Sequence, residues 1–587
     1  MIPKFLEELN PEVYLSDNYL VLDFETTNIE KGNARIPENS VLLSVWSQAG
    51  KQKVKWGSEY QLNELISDIE RADFIVAHNA KFELQWLVRC GLDLTTVLVY
   101  DTLLGEYVLN GNRRSRLDLS SVAKNYGLGS KESFVDLMIK RGICPSEIPK
   151  RFLEKYCRKD VSLTEQIFLK QRQRLLENNL LPVQFTRCIF TPVLADIEVN
   201  GMFLDHVRVK ETYNKYMSDK KELQSQFDEL TGGINVKSPI QVAEYVYGEL
   251  GFAELRDRQG TPLRNKPSKR FPDGAPRTDK ETLLSLKATN KKQATFIDLK
   301  KRLGKLNKAI DTYLKLFKEA SDNNESMLYG KFNQSVTQTH RLSSSKPNFQ
   351  NFDRTLKPLF STRNNKWRIG ERDAAQLEFR VAAFLGQDGQ AINDISEGFD
   401  VHNYTSSIIG CSRQDAKPRT FKPLYGGSSG TPKEKKYYKA FKEKYKAVTE
   451  TQEEWKLSVL KNKKLITATG LIFYWPDCKM SATGYIEYTP SICNYPVQSL
   501  ATADIIPIAV TYMWYKMKSE GLESFIVNTV HDSVITEENP EETEMINKLS
   551  EEAFTTDVYN YLDKVYGIDF NVPLAIDTII TTHWGQK

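Results

Sequence analysis

Two aspartates far apart in the chain constrain its fold more than any other feature. Asp373 opens the stretch Asp373-Ala-Ala-Gln376-Leu-Glu378-Phe-Arg380 after the strand-like run Trp367-Arg-Ile-Gly, and Asp532 follows Phe525-Ile-Val-Asn-Thr-Val530. Runs of β-branched and aromatic residues read as strands, and Asp532 falls where a tight hairpin would turn the chain. Two neighbouring strands that each deliver an aspartate place both carboxylates at one edge of a sheet. Between them Arg413, Lys417, Phe421 and Tyr425 recur every fourth residue. On a helix that spacing advances about 400°, so the side chains form one slowly drifting stripe of cations and then aromatics. Carboxylates suit divalent ions, and cations suit phosphate.

A chain of 587 residues has room for three or four domains. Its apolar and charged fractions, 40% and 27%, are those of a globular protein. The formal charge of +4 is too small to announce a nucleic-acid binder by itself, so any basic surface has to be local. Lysine-rich stretches at 291–318 and 433–446 offer such surface, although solvated helix faces are the commoner meaning of that pattern. Seven scattered cysteines, without a Cys-x-x-Cys pair, argue against a disulfide framework or a zinc site and for a reducing compartment. The first residues carry acids and no apolar core of a signal peptide. No apolar run approaches the roughly 18 residues of a membrane span. The expectation is an intracellular, cytoplasmic protein without a membrane partner.

Residues 1–185 alternate strands such as Tyr19-Leu-Val-Leu-Asp23 and Phe74-Ile-Val-Ala-His78 with helical patterns, an α/β arrangement. Residues 186–340 read mostly helical, interrupted by a polar, Pro- and Gly-rich insert at 256–277 expected to be a mobile loop. Within the first region Asp23 and Glu25 share one strand face, because side chains alternate with period two. Tyr156 and Asp160 lie one helical turn apart. With Glu83, these residues supply four carboxylates and a phenol.

The order, spacing and residue types around Asp373, Arg413–Tyr425 and Asp532 resemble motifs A, B and C of the family A DNA polymerases. The resemblance covers nearly the whole chain. It implies an α/β multidomain fold, with a ribonuclease H-like exonuclease domain followed by a right-hand polymerase of antiparallel palm sheet and helical thumb and fingers. The implied domains are exonuclease 1–185, thumb 186–340, first palm segment 341–385, fingers 386–485 and second palm segment 486–587. Asp373 and Asp532 would hold two Mg2+ ions, with Mn2+ as a substitute, about 3.5–4 Å apart. Arg413, Lys417 and His402 would meet the incoming triphosphate, and Lys417 would protonate the leaving pyrophosphate. Phe421 would pack on the sugar and Tyr425 near the templating base. Gln376 and Glu378 would also face the nucleotide, Glu378 excluding a 2′-hydroxyl. Arg341, Asn348, Gln350, Asn494, Gln498 and His531 would contact primer–template DNA.

The first region resembles the proofreading domain of the same family. Asp23, Glu25, Glu83 and Asp160 would bind two further metal ions, and Tyr156 would orient the attacking water on a single-stranded 3′ end. Five departures stand out. His340 replaces a usual glycine, Pro490 an arginine and Ser533 an acid, while Pro418 and Pro423 interrupt motif B. Glu83 is one methylene longer than the usual aspartate. The implied activity is template-directed DNA synthesis from dNTPs with 3′–5′ proofreading. The architecture, with nothing ahead of the nuclease, suits phage DNA replication, with a replisome helicase or single-strand-binding protein as further partner. The alternatives are a repair-type polymerase with an inactive nuclease and a single-subunit RNA polymerase, the latter disfavoured by Glu378 and the nuclease.

Overall fold

Tyr19–Thr26 (β1) is buried on both faces apart from half-buried Asp23, as suits the centre of a covered sheet. In the computed structural model it pairs antiparallel with Val41–Gln48 (β2), which pairs antiparallel with Lys51–Trp56 (β3). On its other side β1 pairs parallel with Phe74–Ala77 (β4), and β4 with Val99–Asp101 (β5). The order is β3-β2-β1-β4-β5. The edge strand β3 carries exposed Lys51 and Lys53, which blunt it against pairing with another chain. The structure describes residues 3–57, 62–129, 134–256, 260–267, 271–427 and 429–586, so residues 257–259 and 268–270 of the expected loop lie outside the described residues.

Three of the helices in this half position the residues of interest. Lys81–Arg89 (α1) follows β4. Lys150–Glu177 (α2) buries Leu153, Cys157, Asp160, Val161, Thr164, Phe168, Gln171 and Leu175, an i, i+4, i+7 stripe that lies against β1. Leu181–Asn200 (α3) is buried almost all round. The second sheet explains why, since α3 packs on β5 and also on a strand of that sheet.

The second sheet is antiparallel. Arg368–Ala374 (β6) sits between Ser533–Glu538 (β8) and Ile576–Thr581 (β9), and Phe525–Val530 (β7) pairs with β8, giving β7-β8-β6-β9. Helices Leu377–Gly386 (α4), Val401–Ile409 (α5), Arg413–Thr420 (α6) and Thr489–Gln498 (α7) carry most of the remaining residues of interest. A continuous apolar core runs from Leu20 and Val76 through Phe185 and Ile189 to Ile508 and Tyr561, so the two sheets share it.

Within this core the Arg187 guanidinium on α3 lies 2.7 Å from Asp504, both side chains 3% exposed or less. Removing one partner of such a pair strands a buried charge. Arg187→Ala is therefore expected to cost about 3–5 kcal/mol in denaturant unfolding. A loss well under about 1 kcal/mol would show that the pair holds nothing together.

The chain divides into two compact units. One comprises Met1–Met202, Tyr329–Phe352 and Thr362–Lys587, and the other Phe203–Leu328 with Asp353–Ser361. The smaller unit is built on the helices His206–Thr231 and Lys291–Ala309 around Phe227, Tyr245, Phe296 and Leu303. Among the described residues of the insert, Arg256 bridges Pro262, Arg264 bridges Pro276, and the Arg264 guanidinium lies 2.8 Å from Glu254. Among the described residues no helix is long and apolar enough to cross a membrane.

Candidate functional site

Asp373 is the penultimate residue of β6, inside the strand rather than beyond it. Its partner on one side is Ser533 of β8 and on the other Asp577 of β9. Asp532 occupies the two-residue loop between β7 and β8, where Val530 pairs with Ser533 and His531 takes a φ of 57°. The Ser533 hydroxyl donates to the Val530 carbonyl at 3.0 Å, closing that loop. The Asp532 carbonyl accepts from the Ala374 N–H at 2.9 Å, tying the loop to β6 one residue past Asp373. Both acids therefore stand at one sheet edge. Burial raises the Asp532 carboxyl above the usual range, opposed by its own N–H and by the charges of His531 and Arg341. At Ser533, where an acid was expected, the side chain serves the hairpin. The neighbouring acid is instead Asp577, placed by cross-strand register and so invisible in linear order.

Gln376, left-handed at φ 52°, leads into α4, and Glu378 sits in its first turn. Arg341 pairs with Glu378 and donates through Nε to the Thr502 hydroxyl at 2.8 Å. Burial lifts the Glu378 carboxyl; Arg341 lowers it and Asp532 raises it further, so this acid lies between the guanidinium and the sheet edge.

The stripe Arg413–Tyr425 is not one helix. Ser412 caps α6, which ends at Thr420; Lys422–Tyr425 form a 3-10 turn closed by Gly426 at φ 67°. Pro418 withholds the N–H that the Gln414 carbonyl would take, and Pro423 suits the first turn of the next element. A Cβ on Gly426 would come within 2.8 Å of the Thr489 methyl on α7, so only glycine fits that corner. Arg413 and Lys417 still converge on His402 of α5. Burial first, then Arg413 and Lys417 against Asp400, depress its pKa. Its Nδ1 lies 3.0 Å from the Thr420 hydroxyl and its ring 5.2 Å from Phe421, which stacks on Phe379. Arg413 also holds Asp400 at 2.7 Å. Tyr425 packs against the core.

The residues expected at DNA separate into two kinds. His531 is exposed, and Asn494 on α7 keeps a buried amide oxygen without a hydrogen-bond partner. By contrast, Gln350 is buried and reaches the Thr529 carbonyl at 3.5 Å, while the Asn348 side chain accepts the Gln350 N–H at 3.1 Å. The Gln498 carbonyl accepts from Thr502 at 2.8 Å. Pro490 is the second residue of α7, in the first turn, where its missing N–H costs nothing. His340 adopts φ 63°, the conformation for which glycine is usual. Its ring stacks on Tyr107 at 4.0 Å and donates from Nε2 to the Gly111 carbonyl at 3.1 Å. Burial pushes its pKa down to about 3.

On the first sheet the ligand atoms of Asp23, Glu25 and Cys157 lie within 4.8 Å of one another. Cys157, between Tyr156 and Asp160 on α2, donates to Asp23 Oδ2 at 3.3 Å; burial and the two acids push its thiol pKa up. Glu83 on α1 is 4% exposed with Oε2 lacking a hydrogen-bond partner. Burial, then Asp23, raise its carboxyl well above the usual range. Asp101 accepts the Asn79, Ala80 and Leu103 N–H groups at 2.9 Å, fixing the turn that starts α1. Burial pushes its carboxyl up to about 6 against those bonds. Tyr156 donates to Asp136 at 2.8 Å, and Asp160 is buried beside it. Cys157, Asp101 and Asp136 were not anticipated. The Asp-Thr that opens a helix at 101–102 was a readable cap signal, whereas Asp136 arrives from a separate helix without one. A crowd of buried carboxylates with an orphan oxygen has the donor chemistry of a hard-cation site.

A family model described as DNA polymerase family A matches residues 206–586. DNA polymerase I of Bacillus subtilis is 26% identical over 97% of this chain and 62% of its own length. That of Aquifex aeolicus is 24% identical over 96% of each. The chain thus spans under two thirds of the Bacillus relative and nearly all of the Aquifex one. Among solved structures, the POL domain of Pol1 from M. smegmatis, in complex with DNA primer-template and dNTP, matches with a TM-score of 0.76 at 19% identity, covering 100% of this chain and 99% of that one. At that identity the likeness is one of fold.

Proposed function

This chain belongs to DNA polymerase family A, and from that premise we propose that it is a template-directed DNA polymerase extending a primer 3′-hydroxyl with dNTPs, with a 3′–5′ proofreading nuclease on its first sheet. The observation that carries the reading is Asp373 and Asp532 brought to one sheet edge by strand register and the hairpin. Bound by the two aspartates, Mg2+ or Mn2+ would supply charge neutralisation for the triphosphate and a more acidic 3′-hydroxyl.

The chain's own residues do the rest. Arg413 and Lys417 hold the triphosphate by charge-assisted hydrogen bonds, and Lys417 returns a proton to the leaving pyrophosphate. Phe421 presents an aromatic face to the sugar. Glu378, held by Arg341, fills the space beneath it and rejects a 2′-hydroxyl. The templating base falls to Tyr425, and Asn494, Gln498 and His531 to the duplex. The smaller compact unit serves as the thumb, narrower than 186–340.

For the nuclease, the sheet order β3-β2-β1-β4-β5 supports a ribonuclease H-like fold. Asp23, Glu25, Glu83 and Asp160 would hold its ions, and Tyr156, steadied by Asp136, would orient water. The test is a labelled primer–template incubated with Mg2+, with and without dNTPs. Extension with them and shortening without them are expected. Extension alone would remove the nuclease half of the proposal, and neither activity would remove both.

Phe421→Tyr supplies a hydroxyl where a dideoxynucleotide lacks its own. One regained hydrogen bond, about 1–1.5 kcal/mol, corresponds to roughly tenfold better dideoxynucleotide incorporation. Unchanged chain termination would take Phe421 away from the sugar.

A further inference from the structure

Cys157 is a soft donor in a place that otherwise offers only oxygen. We propose that Cys157 makes the Asp23–Glu25 site a mixed thiolate–carboxylate centre that captures a soft divalent ion, Zn2+ or its analogues Co2+ and Cd2+, in preference to Mg2+. The proposal deepens the nuclease reading and rests on it for the consequence, not for the binding.

The geometry fits one ion. Zn2+ takes sulfur at about 2.3 Å and carboxylate oxygen at about 2.0–2.2 Å, so tetrahedral ligands stand roughly 3.5 Å apart. The thiol is 3.3 Å from Asp23 Oδ2, and the three ligand atoms lie within 4.8 Å of one another. Cys157 cannot withdraw, since it is fully buried on α2 between Leu153 and Val161, which fix the helix against β1. A further buried acid stands apart from the three-atom cluster. Glu83 comes from α1, is 4% exposed, and its Oε2 has no hydrogen-bond partner while its charge is felt at Asp23. Two carboxylates and a thiol make a three-donor set, with the buried acid Glu83 outside it.

Selectivity follows from softness. Mg2+ prefers six oxygens, several of them water, and gains nothing from sulfur. Zn2+ and Co2+ form strong bonds to thiolate. On binding, the sulfur–metal bond forms as the S–H proton leaves to solvent, a one-proton exchange without redox change. The consequence is directional: an ion held here displaces the hard ions that hydrolysis needs. Trace Zn2+ would then silence shortening of a 3′ end while Asp373 and Asp532, which carry no thiol, continue synthesis with Mg2+.

The experiment uses the full chain, stripped of metal and titrated with Co2+. A thiolate-to-cobalt charge-transfer band is expected, with displacement by Zn2+ followed by calorimetry. Cys157→Ser, nearly isosteric, should abolish the band and weaken Zn2+ binding by at least roughly 100-fold. Glu83→Gln should weaken binding while keeping the band, which guards against a misfolded Cys157 variant. No band in the unaltered chain, or a band that survives Cys157→Ser, overturns the proposal. A band without Mg2+-dependent shortening leaves the metal site standing and refutes the nuclease; shortening without a band does the reverse.

Discussion

Asp373→Ala or Asp532→Ala is expected to abolish dNTP-dependent extension, by about a thousandfold or more, while shortening of a single-stranded 3′ end continues. The magnitude follows from the charge that these carboxylates balance. Ions at such a site stabilise a phosphoryl-transfer transition state by several kcal/mol, and each 1.36 kcal/mol is about tenfold in rate. Selectivity follows from placement, since Asp373 lies on one sheet and Asp23 and Glu25 on another. Folding supplies a control of opposite sign. Asp373 is exposed and stands opposite Asp577 of β9, and like charges directly opposite destabilise a sheet by about 0.2–1 kcal/mol. Asp373→Ala should therefore leave the melting temperature unchanged or slightly higher. A large fall in melting temperature would mean that lost synthesis reports unfolding, and normal extension in either variant would remove the pair from catalysis.

Much of this site was legible in the chain, for physical reasons that differ by residue. Asp373 and Asp532 end or follow strands whose apolar residues mark them, and a hairpin is a local event, so their shared edge could be inferred. Asp577 belongs to the same edge, but only register brings it beside Asp373, and register is a property of the assembled sheet. The stripe Arg413–Tyr425 was legible in chemistry and not in shape. Two prolines split it into a helix and a 3-10 turn, yet Arg413, Lys417 and Phe421 still gather around His402. At His340 the backbone needs positive φ, which glycine meets without a side chain; here histidine meets it and places its ring on Tyr107. Composition could not reveal that contact, because it joins segments distant in sequence. The same holds for α3, whose all-round burial makes sense only when both sheets are in place.

At the first sheet, Asp23→Ala combined with Glu25→Ala should reduce 3′ shortening by about a thousandfold with extension intact, by the same balance of charge. Glu83→Gln separates function from folding there. Glu83 is buried with an oxygen that has no partner, beside the charge of Asp23, so the metal-free protein stores an unfavourable interaction. Glutamine keeps the shape and removes the charge. In chelator, Glu83→Gln should melt at a higher temperature than the unaltered chain, while its shortening activity falls by about tenfold or more. Added Mg2+ should raise the melting temperature of the unaltered chain more than that of the variant, because ligand binding to the folded state stabilises in proportion to its affinity. Strain that is relieved by an ion is the expected signature of a site built for one. If Glu83→Gln melts lower in chelator and responds to Mg2+ as the unaltered chain does, Glu83 is a packing residue and its extra methylene has no bearing on hydrolysis.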